Sequence, residues 1–353
     1  MASVTAARAR GYEPRGDEST QPLLGRESSP ATRFESIAAE GYTAAAMTTQ
    51  RVGVIAGGES PEREVSLASG ACVHRALCQT GRPVTLLALD SLDDLVGALA
   101  GIDVVFNCLH GGAGENGTLQ LLLDLLGVDY AGSGAQAAFR AMDKVRARAL
   151  FEQDGLHVPP GLAWTGKDLR GFRDRVLAEL GVPVVVKPID AGSSIGVHVV
   201  DRPEDLEGAL VEVTTTLGSA LVERHIEGRE LTVGVLRIDG QERSLPVVEI
   251  HPRHGFFDYR AKYEPGAAEF LVPAPLGESV TSAVQEAGLR AHRALGCRGY
   301  SRVDLRLASD GTPFVLEVNA SPGMTENSDL PRAAAAAGYS FSQLVSMMLD
   351  TIS

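Results

Sequence analysis

The 353-residue sequence has little cysteine, few aromatic residues and a shortage of basic charge. Its four cysteines, Cys72, Cys78, Cys108 and Cys297, form no CxxC pair and no spacing of the kind that ligates a metal. They read as small buried thiols, which fits a reducing cytosol better than a disulfide-built secreted scaffold. No apolar stretch reaches the ~18 residues of a membrane-spanning helix, so no membrane is expected. Lys and Arg number 32 against 45 Asp and Glu, a net charge of −13, which argues against broad nucleic-acid binding. A small anionic ligand stays open, because local lysines, arginines and helix N-termini hold anions within an acidic protein. No GxxxxGK[ST] occurs, so a P-loop nucleotide site is excluded. Aromatics make up only 5%, whereas glycine supplies 39 residues and hydrophobic residues 44%. That balance favours a loop-rich α/β enzyme.

The chain divides by pattern. Residues 1–48 mix charge, Ser, Pro and Gly without periodicity, read as a disordered tail, and lack the apolar core of a secretory signal. Met47 stands almost at the first strand and is a candidate start. From "RVGVIAGG" (51–58) onward, strand, glycine turn and helix alternate, with "PVTLLALD" and "DVVFNCL" as further short strands. Such alternation predicts a parallel sheet flanked by helices. A second unit opens with "KVRARALFEQDGL" and carries "PVVVKPI", a Gly-Ser loop and "SALVERHI". A third alternates "LTVGVLRI", "SLPVVEI", "SRVDLRL" and "PFVLEVNA" and ends in an amphipathic helix, "SFSQLVSMMLDTI".

Two segments carry chemistry by residue type and spacing. In "VVVKPIDAGSSIGV" (184–197), Lys187 ends a β-rich apolar run, where a lysine is costly unless something anionic pairs with it. A Gly-Ser loop follows, whose N–H groups and hydroxyls suit phosphate. In "RVDLRL", strand alternation puts Arg302, Asp304 and Arg306 on one face, opposite Val303 and Leu305. "FVLEVNA" puts Glu317 and Asn319 on one face as well. If the two pair as a hairpin across "ASDGT", then Asp304, Glu317 and Asn319 converge into an oxygen-only set that suits Mg²⁺. The bland alternative is an edge hairpin with its polar residues in solvent. "GSGAQA" (132–137) matches GxGxxA but reads as a tight turn near a helix start. "LHGGAGENGTLQ" (109–120) reads either as a ligand-facing strand end carrying His110 or as a helix entry capped near Asn116 and Thr118.

From about residue 51 to 350 the chain resembles the D-alanine–D-alanine ligase family of the ATP-grasp superfamily. The resemblance rests on "GGESPEREVSLASG", "HGGAGENGTLQ", "DYAGSG…AMDK", "VVVKPIDAGSSIGV", "LVERHIEGRELTV", "FFDYRAKY", "GYSRVDLRL" and "LEVNASPGMTENSDLP", in that order. It implies an α/β ATP-grasp fold of three lobes: an N-terminal Rossmann-like domain (49–142), a central ATP-grasp subdomain (143–230) and a C-terminal one (231–353). It further implies ATP-dependent joining of amino acids into a dipeptide for cell-wall precursor synthesis, in the cytoplasm, by a homodimer. For ATP it implies Lys144, Lys187, Ser194, Glu223, Arg224, Ile226, Glu230 and, from a closing loop, Lys262. Asp304, Glu317 and Asn319 would hold two Mg²⁺ or Mn²⁺ ions. Glu62 would bind the first amino acid's ammonium beside His110, and Ser193, Tyr263 and Glu62 would close the site. Arg302 and the Gly323 N–H would form an oxyanion site, and Ser328 would meet the second substrate's carboxylate.

The sequence departs from that family in three places. Gly114-Glu115-Asn116-Gly117 stands where Gly-Glu-Asp-Gly is usual, and the tail has no counterpart. Glu326-Asn327-Ser328-Asp329 stands where Ser-His-Ser-Leu is usual. An unpaired Asp329 carboxylate beside the second-substrate pocket would disfavour D-alanine. The alternative expectation is therefore a re-purposed ligase of specialised metabolism, of the kind that builds mycosporine-like amino acids.

Overall fold

The computed structural model describes residues 49–164, 166–193, 195–253 and 266–352. The tail (1–48), Ser194, Lys262 and Tyr263 lie outside the described residues. Three sheets follow one another along the chain. The first is parallel, in the order β2-β1-β3-β4, from β1 (Val52–Gly57), β2 (Val84–Leu89), β3 (Val104–Asn107) and β4 (Asp129–Tyr130). Every residue of β1 is buried, as expected of a central parallel strand covered on both faces. Helix α1 (Arg63–Gln79) packs directly on β1. Gly70 makes that approach: a Cβ there would lie 2.5 Å from the Ala56 Cβ.

After α2 (Leu95–Ala98) and α3 (Thr118–Leu126), helices α4 (Ala135–Met142) and α5 (Lys144–Gln153) lead to the second sheet. It is antiparallel, in the order β5-β8-β6-β7, from β5 (Gly161–Trp164), β6 (Val184–Lys187), β7 (His198–Val200) and β8 (Ala220–Arg224). Helices α6 (Leu169–Glu179) and α7 (Leu206–Leu217) share its apolar core through Phe172, Val176, Leu206 and Leu210.

The third sheet runs β12-β11-β9-β13-β14, with β10 also on β9. Its strands are β9 (Gly228–Ile238), β10 (Gln241–Ser244), β11 (Val248–Pro252), β12 (Ala268–Leu271), β13 (Tyr300–Ala308) and β14 (Pro313–Asn319). Helix α8 (Glu278–Leu295) covers one face. Ala137 and Ala141 of α4 and Ala147 and Phe151 of α5 belong to that core rather than to the second sheet's. The final helices α9 (Asp329–Ala336) and α10 (Phe341–Leu349) close a core that also takes in Val73, Ala76 and Leu77 of α1. This last packing fixes the first lobe against the end of the third.

The cysteine expectation holds in half. Cys108 and Cys297 are buried, but Cys78 is exposed and Cys72 intermediate, because both lie along α1 away from its packed face. No helix among the described residues is long and apolar enough to cross a membrane.

Candidate active site

The hairpin expected from "RVDLRL" and "FVLEVNA" forms. In the antiparallel pairing of β13 and β14, Arg302 stands opposite Asn319 and Asp304 opposite Glu317. Directly opposed residues share a sheet face, so the four polar side chains converge while Val303, Leu305 and Val318 are buried behind them. The Arg302 guanidinium grips Asp304 with two bonds, Nε to Oδ1 at 3.0 Å and Nη2 to Oδ2 at 2.9 Å. Burial alone opposes the Arg302 charge, but the carboxylates of Asp304, Asp329 and Glu317 outweigh it and hold the group firmly cationic.

Two buried lysines approach this face. Lys144 begins α5, whose entry is set by Asp143: its Oδ1 accepts from the Val145 N–H at 3.1 Å and the Arg146 N–H at 3.0 Å. The Lys144 Nζ donates to the Ala191 carbonyl at 2.6 Å and lies 3.5 Å from Glu317 Oε2. Burial pushes its pKa down, and the charge of Lys187 adds to that against the pull of Glu317. Lys187 is 8% exposed, so it is no surface lysine. Its anionic partner is Glu223, Oε2 to Nζ at 2.6 Å. The other Glu223 oxygen accepts from Arg148, which also donates to the Pro159 carbonyl at 2.6 Å. A single buried carboxylate thus serves two buried cations.

Lys187, Glu223, Arg224, Ile226 and Glu230 line one pocket between the second and third sheets, together with His225 and Arg306. Arg224 itself is largely exposed. Arg306 was expected to share a face with Asp304, and it organises this wall. It donates to Glu230 at 3.2 Å, to the Ile226 carbonyl at 3.2 Å and to His225 Nε2 at 3.3 Å.

A second pocket is lined by Glu62, His110, Glu115, Ser193, Arg302, Asn319, Gly323, Ser328 and Asp329. Glu62 stands just ahead of α1 and accepts from the Ser193 hydroxyl. Ser193 takes a left-handed conformation, φ 52°, which is uncommon for a side chain with a Cβ. His110 is buried between Ser69 Oγ, 3.1 Å from its Nε2, and Glu115 Oε1, 3.4 Å from its Nδ1. The helix entry of "LHGGAGENGTLQ" forms as read, with the Asn116 side chain accepting from the Thr118 N–H at the start of α3, at 3.0 Å, while His110 lines the pocket. Gly323 comes close to Ser328: a Cβ on it would lie 3.2 Å from the Ser328 Oγ. The Gly323 N–H has no hydrogen-bond partner among the described residues.

The Asp329 expectation needs correction. Its carboxylate is not an unpaired buried charge, because Oδ2 lies 4.0 Å from Arg302 Nη1 with both side chains about 15% exposed or less. The case against a small apolar acceptor loses its premise. Arg148, Ser69, Glu115 and Arg306 were not anticipated as site residues. The first two lie on helix faces that read as ordinary amphipathic pattern. For Ser69 a signal existed: Glu62, Ser66 and Ser69 recur at helical spacing and continue as Val73, Ala76 and Leu77, so polar residues occupy the packed face of α1.

Lys144, Ala191 and Glu317 line both pockets. The two cavities therefore meet at one buried cation and one carboxylate. Such a junction suits transfer of a group between a ligand in one pocket and a ligand in the other.

Comparison with known proteins identifies the family. The family model for the D-ala D-ala ligase C-terminus matches residues 150–350, and that for the D-ala D-ala ligase N-terminus matches residues 89–133. A D-alanine–D-alanine ligase of Desulforudis audaxviator is 44% identical over 299 residues, 84% of this chain and 96% of that protein. One from Geotalea uraniireducens is 41% identical over 303 residues, 86% of this chain and 96% of that protein. Among solved structures, the Bacillus anthracis D-alanine–D-alanine ligase complexed with ATP aligns with TM-score 0.75 and 34% identity, covering 86% of this chain and 97% of that one. The VanG D-Ala:D-Ser ligase of Enterococcus faecalis aligns with TM-score 0.76 and 28% identity, covering 87% of this chain and 100% of that one. By fold, by matched family models and by identity over most of its length, the chain belongs to the D-alanine–D-alanine ligase family.

Proposed function

We propose that this protein is an ATP-dependent ligase that joins two D-alanine molecules into a dipeptide for peptidoglycan precursor synthesis, releasing ADP and phosphate. The observation that carries this reading is the meeting of the two pockets at Lys144 and Glu317. ATP takes the pocket of Lys187, Glu223, Arg224, Ile226 and Glu230, and both amino acids take the pocket of Glu62, His110, Arg302 and Ser328. A carboxylate is a poor electrophile. Phosphoryl transfer across the junction converts the first D-alanine to an acyl phosphate, which the amine of the second then attacks.

Lys144 and Lys187 face the charge of the transferring group, and burial strengthens their effect. Glu62 holds the first ammonium, with His110 beside that substrate. Arg302 and the Gly323 N–H stabilise the tetrahedral oxyanion, a contribution of about 3 kcal/mol per donor. Ser328 meets the second carboxylate. Ser194, Lys262 and Tyr263 keep the closing and phosphate roles expected of them.

The oxygen-only set of Asp304, Glu317 and Asn319 fits a hard divalent cation. Both carboxylates already rest against cations, Arg302 and Lys144. These three residues would hold Mg²⁺ or Mn²⁺, two ions by family likeness, and the ions would offset negative charge on the phosphates.

The reading extends to a cytoplasmic homodimer with no nucleic-acid partner. Exposed Leu121, Leu125 and Leu126 of α3 and Phe139 of α4 support an apolar face for a second copy. The deciding experiment incubates the protein with ATP, Mg²⁺ and D-alanine and follows phosphate release and dipeptide by chromatography. Phosphate release that needs another acceptor, with no D-alanyl dipeptide formed, would refute it.

A further inference from the structure

Ser69 is fully buried on the packed face of α1, two turns beyond Glu62. A buried hydroxyl costs stability unless hydrogen bonds satisfy it. Alanine would fill that position equally well, so its partners explain its presence. On the same face Ser66 is accounted for by the scaffold: it accepts from the Gly57 N–H and donates to the Cys108 carbonyl, each at 2.8 Å. Ser69 differs. Among the described residues it has two partners, the Met324 N–H at 3.3 Å and the His110 Nε2 at 3.1 Å.

One donor direction is fixed by this pair. A backbone N–H only donates, so Ser69 Oγ accepts from Met324. Ser69 keeps one proton to donate, and His110 Nε2 is its remaining partner among the described residues; a ring that accepts there carries no proton on Nε2. In that arrangement the ring proton is on Nδ1, which faces Glu115 Oε1 at 3.4 Å, within the amino-acid pocket. The histidine's main chain is fixed as well. Its carbonyl accepts from the Ser60 hydroxyl at 2.5 Å, and that hydroxyl accepts from the Glu62 N–H at 3.1 Å.

We propose that Ser69 is a positioning residue. It sets the His110 tautomer, with Nδ1–H toward the substrate pocket, and ties that choice to the Pro322-Gly323-Met324 segment. The segment sits between Asn319 and Ser328, both on the pocket wall. A shift of the segment that breaks the Met324 bond loosens the histidine, and the reverse also holds. The first-substrate side and the oxyanion side of the pocket thus share one buried hydroxyl. That His110 meets a substrate rests on the ligase reading above, whereas the relay itself does not.

The test uses the full chain with ¹⁵N-labelled histidine and long-range ¹H–¹⁵N correlation, the His110 signals being assigned by their loss in His110→Gln. The expected wild-type spectrum shows Nδ1 protonated and Nε2 bare. Ser69→Ala is expected to give mixed tautomers and to lower kcat about tenfold or more, the size of effect produced by removing an orienting partner. The KM for ATP should stay unchanged, and Ser69→Thr should restore the tautomer. A protonated Nε2 in the wild type overturns the proposal, as does a Ser69→Ala variant that keeps both tautomer and kcat. If Ser69→Ala does not fold, the wild-type spectrum decides alone. Absence of ligase activity with the expected spectrum refutes the function and leaves the relay standing.

Discussion

Asp304 lies directly opposite Glu317 across the β13–β14 pair, and each carboxylate touches a cation, the half-buried Arg302 for the first and the buried Lys144 for the second. Opposed carboxylates repel unless cations stand between or beside them. The fold thus supplies a cation beside each carboxylate.

Glu317→Ala removes the carboxylate common to both pockets. Glu317 is only partly buried at a sheet edge, so the fold should survive with an unchanged far-ultraviolet spectrum. ATP-dependent phosphate release should fall on the order of a hundredfold or more. Near-normal turnover would remove Glu317 from the reacting centre.

Glu223 and Lys187 should differ in stability effect. Glu223→Ala strands Lys187 and Arg148 without their shared anion, a loss of about 3–5 kcal/mol. Lys187→Met leaves Glu223 bonded to Arg148 and should cost less than half as much. Urea denaturation of the two variants measures the difference, and equal effects would mean that Arg148 contributes nothing to the pairing.

Asp329→Leu should keep D-alanine ligation, because Arg302 retains its two bonds to Asp304. The change in acceptor KM should stay within about tenfold, because the Asp329–Arg302 contact is long, 4.0 Å, and Arg302 keeps its closer partner Asp304. A variant that changes its preferred acceptor would instead make Asp329 the selector of a polar second substrate.

His225 gives the stability a defined pH dependence. Its burial, then the neighbouring Arg306 charge, hold its pKa below the usual histidine value against the weaker pull of Asp201 and Glu227. An unfolded chain takes up this proton near pH ~6.5, whereas the folded protein resists it until lower pH. Between those values the unfolded state binds more protons, so this stabilisation is complete above the unfolded pKa and declines as pH falls through the folded one. Urea midpoints measured on either side of neutrality should drop more for the wild type than for His225→Gln on the acid side. Identical slopes would exclude the histidine.

Much of the site was legible because strand alternation is local. Arg302, Asp304 and Arg306 fall on one face by period two alone, and the β13–β14 pairing needed only a short turn between the strands. Lys187 was legible as an anomaly, a charge in an apolar run, but its partner was not. Arg148 and Glu223 are 75 residues apart, and both read as ordinary helix and strand residues.

Element types, family and reaction class were all readable from residue order alone, since ordered motifs and apolar periodicity survive without knowledge of contacts. Which charges meet depends on the folded packing. Glu62 reaches Ser193 across 131 residues and Ser69 reaches Met324 across 255. The packing of α1 against β1 and the closing helices sets those approaches, and a buried polar group is stable only where that packing delivers its partner. Asp329 shows the difference plainly: in the sequence it is a misplaced carboxylate, and in the fold it stands beside Arg302.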